Sequence, residues 1–89
     1  MIEEVRQYLL DKGFTTPEEN VFELVQTQLQ QMTINGQPIV QEYKRIVKLV
    51  YIGEGSIDED IIYGFSLFVD GNNVIDEWFR NLDQFKGVF

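Results

Sequence analysis

Cysteine and histidine are both missing from this chain of 89 residues. Without cysteine there is no disulfide, no thiolate nucleophile and no Cys-based metal site, so stability must come from burial, and a reducing, cytoplasmic setting is expected. Without histidine as well, the Ser-His-Asp triad, the Cys-His dyad, HExxH zinc sites and the common neutral-pH proton shuttle cannot be built. Basic residues are scarce: seven Lys and Arg face fifteen Asp and Glu, a net charge of −8. A bare phosphate backbone is therefore a poor match, and no direct nucleic-acid partner is expected. Two prolines and no Gly-, Ser- or Pro-rich tract leave no linker, and 89 residues leave room for one domain, 1–89. No apolar run approaches the ~20 residues of a membrane span, and the start Met1-Ile2-Glu3-Glu4 lacks the basic-then-apolar order of a signal peptide, so no membrane partner is expected.

The remaining chemistries find little support. Neither GxxxxGK[ST] nor GxGxxG occurs, and Gly53, Gly55, Gly64, Gly71 and Gly87 are scattered, so there is no visible phosphate cradle. The acidic stretch Gly53–Asp60 resembles a cation loop only in composition. Counted from Asp58 an EF-hand pattern needs Asp or Asn where Ile62 stands, and counted from Asp70 it meets Val74. A solvated turn between two strands is the simpler reading. No cofactor, no metal and no enzymatic activity are expected, because no site can be assembled from these residue types.

What is present is a globular composition, 44% apolar with 13% aromatic residues, which excludes a disordered chain. Ile2, Val5, Leu9 and Leu10 fall near helical spacing and Lys12-Gly13 supplies a stop, which predicts a helix over residues 2–12. Residues 17–34 carry two signals. Thr16-Pro17-Glu18-Glu19 matches a capping box, and Phe22, Val25, Leu29 and Met32 repeat at helical spacing. Against this, Asn35-Gly36 is a strong hairpin signal. Folding about it sets Met32 opposite Ile39, Val25 opposite Ile46, Leu24 opposite Val47, Phe22 opposite Leu49 and Val21 opposite Val50. The same register opposes Glu23 to Lys48. Strand is preferred, because Tyr43–Ile52 and Ile61–Val69 also read as strands and a two-stranded ribbon needs a third. Residues 73–84 are expected to be a helix presenting Val74, Ile75, Trp78, Phe79 and Leu82 to the core.

The expected fold class is α+β: a single small domain, α-β-β-β-α, with a three-stranded antiparallel meander packed by N- and C-terminal helices. The alternative, with residues 17–32 helical, is α-α-β-β-α. In the preferred arrangement both sheet faces are apolar far from the Asn-Gly turn. Phe22, Leu24, Val47, Leu49 and Tyr51 point one way, and Val21, Val25, Ile46, Val50 and Ile52 the other. If both helices pack on one face, the other is free for a second copy or a foreign protein.

The function classes left open are all of binding. A small acidic interaction module, an inhibitor or adaptor acting on a partner's basic surface, is the first. A homo-oligomeric assembly subunit of phage or mobile-element type is the second, and a dimer would satisfy it. Candidate contacts are the acidic residues Glu54, Asp58, Glu59 and Asp60, and the apolar C-terminal residues Phe85, Val88 and Phe89, which fold back or stay open for a partner. Gln26, Thr27, Gln28, Gln30 and Tyr43 read as hydrated sheet surface or as an exposed edge able to pair with another chain.

Overall fold

A computed structural model describes residues 3–89. Helix α1 (Glu3–Asp11) is followed by strands β1 (Thr15–Glu18), β2 (Val21–Ile34), β3 (Gln37–Ile57), β4 (Asp60–Val69) and β5 (Asn72–Phe79), then by helix α2 (Leu82–Val88). Among the described residues the strands form one five-stranded antiparallel sheet in the order β1-β2-β3-β4-β5. The expected class α+β holds in outline, but the three-stranded meander is corrected to five strands, and the helical alternative for residues 17–32 is absent.

The N-terminal helix lies where the apolar spacing puts it, with Val5 and Leu9 buried; Ile2, its expected first apolar residue, lies outside the described residues. The chain leaves it at Gly13, whose N–H reaches the Leu10 carbonyl while that of Phe14 reaches Leu9. The capping box at Thr16–Glu19 caps nothing. Those residues form β1 and its turn, and Pro17 is tolerated because the strand is at the sheet edge, where a missing donor costs no ladder bond. The β2–β3 register is the one expected from Asn35-Gly36 at every pair named above, from Val21↔Val50 to Met32↔Ile39. Asn35 and Gly36 have φ of 53° and 78°, the left-handed pair that a two-residue hairpin turn requires.

Residues 53–60 are not a loop: β3 continues to Ile57, and Asp58-Glu59 alone make the turn into β4. The expected helix over 73–84 is also overturned, with residues 72–79 forming β5. Asp70-Gly71 adopt φ of 51° and 83°, another tight hairpin turn, which sends the chain straight back along β4. The helical spacing of Val74, Ile75, Trp78 and Phe79 is equally a pair of strand faces. Ile75, Glu77 and Phe79 turn inward, and Val74, Asp76 and Trp78 outward. The true helix starts nine residues later, at Leu82, where Asn81 Oδ1 accepts the Gln84 N–H at 2.9 Å and Gln84 Oε1 accepts the Arg80 N–H at 2.7 Å.

One aromatic core holds these pieces. Phe65 on β4 packs its ring against Phe22, Tyr51, Phe79, Phe85 and Phe89 at centroid distances of 5.5 to 6.4 Å. Val5 and Leu9 of α1 and Phe85 of α2 close the cluster over Phe22 and Leu49, so both helices lie on one face of the sheet. The molecule measures 63 × 21 × 21 Å with a radius of gyration of 17.0 Å. A compact chain of this length would have a radius of gyration near ~12 Å, so much of it projects beyond the core.

Candidate protein-binding surface

The projection is an arm made from the far parts of β2 and β3. The last sheet neighbours on either side stop early. Strand β1 reaches along β2 only to Glu23, and β4 reaches along β3 only to Val47. From there to the Asn35-Gly36 turn, β2 and β3 pair with each other and, among the described residues, with no other strand. At ~3.3 Å per residue the stretch from Leu24 to Ile34 is roughly 33 Å long.

The root of the arm is sealed by the β4–β5 turn. The Ile46 N–H donates to Asp70 Oδ1 at 2.9 Å, and the Asp70 N–H donates to the Ile46 carbonyl at 2.9 Å. These bonds also tell which way the backbone points. Ile46 turns its N–H and C=O away from β2, so by strand alternation Val40, Glu42 and Lys44 do the same along the outer edge of β3. Their partners require that Val25, Thr27, Leu29, Gln31 and Thr33 present their N–H and C=O groups on the outer edge of β2.

Both faces of the arm carry exposed apolar side chains. On the face continuous with the core, Gln26, Gln28 and Gln30 lead to Met32, Ile34, Ile39 and Tyr43; on the other lie Val25, Leu29, Val40 and Ile46. Leu29 is 72% exposed and Val40 58%. An isolated ribbon of two strands is marginal in water, and this one spends apolar surface on solvent along its whole length.

The body offers a second open surface. On the sheet face away from the helices a shallow groove is lined by Val21, Glu23, Ile46, Lys48, Val50 and Phe68, with Pro17 and Glu18 at its rim. Farther along, the Trp78 ring lies flat across Gly64, close enough that a Cβ there would meet it at 3.0 Å. Trp78 is half-exposed, in contrast to its expected place in the core, because its strand turns it away from Phe79.

Of the residues expected to touch a partner, the edge residues Gln26, Thr27, Gln28, Gln30 and Tyr43 lie on the arm, while the acidic and C-terminal ones fall into two places in the body. Asp58 and Glu59 form the exposed β3–β4 turn, with Glu54 and Asp60 beside it, at the end of β3 opposite the arm tip. Asp60 lies 3.6 Å from Arg80. Phe85 is fully buried, Phe89 packs on it at 5.0 Å and Val88 is half-buried, so the C-terminal tail folds back over the sheet. The arm brings together none of these acidic and C-terminal residues. Its signal was present in the glutamine-rich, charge-free run Leu24–Ile34, but the free length of that run depends on where β1 and β4 stop.

The two side chains with clearly displaced pKa values are also in the body. Burial first, then Glu54 and Tyr63, push the Tyr51 phenol up; hydrogen bonds from Ser66 and then Asn73 hold the Asp76 carboxyl below its usual range. Among the described residues no three His, Cys, Asp or Glu side chains gather as a cation site, and no helix is long and apolar enough to cross a membrane. No family model, no curated protein and no solved structure matches the chain.

Proposed function

We propose that this protein is a non-enzymatic protein–protein interaction module of assembly type whose binding element is the β2–β3 arm. The observation that carries the reading is a ribbon with two unpaired edges and apolar side chains on both faces, held out from a folded body. Exposed strand edges are normally short, charged or covered, since they recruit other chains. A long one, rooted by a specific turn, is suited to β-augmentation, in which main-chain hydrogen bonds supply affinity and alternate side chains supply selectivity. The missing residue types for catalysis support the non-enzymatic part, and a chain without cysteine fits a cytoplasmic setting.

Charge favours the arm over the acidic end as the contact. Residues 25–46 contain one acid, Glu42, and two bases, Lys44 and Arg45, a net of +1, which leaves −9 of the total −8 on the rest of the chain. A partner meeting the arm meets little charge to desolvate.

Deleting residues 29–34 and 37–42 tests the reading. The cut leaves Asn35-Gly36 joining Gln28 to Tyr43, a pair of the same hydrogen-bonding kind as Ile34 and Gln37. The shortened chain is expected to keep its circular dichroism and the fluorescence of Trp78, its single tryptophan, while losing association with any partner of the full chain. Binding retained at full strength by the shortened chain would overturn it.

A further inference from the structure

We propose that the arm's partner is a second copy of this chain, and that two copies pair antiparallel along their β2 edges from Leu24 to Ile34, merging two sheets into one. The inference rests on the reading of the arm as the binding element and goes further by naming its partner, edge and register.

The two edges of the arm are not equivalent. The outer edge of β3 is guarded in the usual ways: Pro38 lacks a donor, and Glu42 and Lys44 place charges beside the outward backbone groups. The outer edge of β2 has no such guard. In a chain one quarter of whose residues are charged, Leu24–Ile34 contains no charge, no proline and no glycine. Main-chain groups of Val25, Thr27, Leu29, Gln31 and Thr33 face outward along it, open to pair with another strand.

That edge is complementary to itself. A two-fold axis at Leu29 opposes Leu29 to its own copy, Thr27 to Gln31, Val25 to Thr33, Gln28 to Gln30, Gln26 to Met32 and Leu24 to Ile34. The outward-facing residues all fall in hydrogen-bonded pairs in this register, since odd positions meet odd positions. On the face of Leu29, Leu29 meets its own copy, Val25 meets Thr33 and Thr27 meets Gln31; on the other, Leu24 meets Ile34 and the amides of Gln28 and Gln30 meet, with Gln26 against Met32. The register also uses the free edge fully. It begins where β1 stops, at Glu23, and ends at the turn that begins with Asn35.

Long-range charge selects the same arrangement. Two bodies of −9 repel when stacked face to face. Antiparallel arms hold the bodies roughly 33 Å apart, several times the ~8 Å screening length at physiological ionic strength. An isologous pairing also closes, so it gives a dimer and not a fibre.

Light scattering after size exclusion, with the full chain diluted from about 100 to 1 μM, reads the prediction. The expected result is a dimer of twice 10.5 kDa that dissociates on dilution. Thr27→Pro removes an outward N–H on the β2 edge and Lys44→Pro removes one on the β3 edge, each sparing the ladder within the arm. Thr27→Pro is expected to give a monomer and Lys44→Pro to leave the dimer. Leu29→Lys changes a side chain already in solvent and sets two cations across the axis at ~5.5 Å between Cα atoms, weakening association roughly tenfold or more without touching the backbone. A strict monomer overturns the self-pairing, and if the arm-shortened chain then loses a foreign partner that the full chain holds, the arm reading stands without it. A dimer indifferent to Thr27→Pro and Leu29→Lys, or abolished by Lys44→Pro alone, overturns it equally.

Discussion

At Glu59 the backbone has φ of 70°, and Asp58 before it has 51°. A two-residue hairpin turn imposes both values, and a side chain with a Cβ pays about 1–2 kcal/mol for the left-handed region that glycine enters freely. Asn35-Gly36 and Asp70-Gly71 follow that rule at their second position; Asp58-Glu59 does not. Glu59→Gly is therefore expected to stabilise the protein, by up to ~1 kcal/mol after the greater freedom of glycine in the unfolded chain is counted. A urea midpoint that stays put or falls would contradict the strain. The same violation hides the turn's position in the sequence: Asp-Glu carries no hairpin signal, so only the pairing of Ile57 with Asp60 reveals it.

Among elements, the arm depends on one side chain at its root. Asp70 joins the β4–β5 turn to Ile46 by two hydrogen bonds, one through its carboxylate. Asp70→Gly keeps the left-handed backbone of the turn and removes the carboxylate. Hydrogen exchange at Ile46 and its neighbours in β3 is expected to speed up, with a loss of ~0.5–1.5 kcal/mol in overall stability, the usual worth of such a bond. Unchanged protection at Ile46 would show the root to be held by the ladder alone. Elements also show where reading by pattern succeeds. Asn35-Gly36 sets the β2–β3 register because a two-residue turn leaves no freedom to slip, and apolar partners on both faces agree with it. Residues 72–79 failed because Val74, Ile75, Trp78 and Phe79 satisfy a helical stripe and a strand equally well. Pairing with β4 decides between them, together with the Asp70-Gly71 turn.

On the scale of the whole molecule, charge and shape divide the chain in two. The body carries −9 and the aromatic core; the arm carries +1 and exposed apolar strands. Raising salt from about 50 to 500 mM shortens the screening length several-fold. Association through the neutral β2 edge is expected to hold within about threefold or to tighten, because the acidic bodies repel less. Association through Glu54, Asp58, Glu59 and Asp60 onto a basic surface would weaken steeply over the same range. Sedimentation or light scattering in both salts separates the two, and a steep loss in high salt would argue against the arm as the contact.

Composition and local pattern by themselves determined which chemistries the residue types can build, the α1 boundary at Gly13, and the register that the Asn35-Gly36 turn imposes once residues 21–34 are a strand, because each rests on residue identity or on a local turn. The fourth and fifth strands of the pattern, β1 and β5, were decided by pairing with distant neighbours. So were the placement of both helices on one face and the length of ribbon left free beyond Glu23 and Val47. An arm exists only where other strands end, and where they end is a property of the packed sheet.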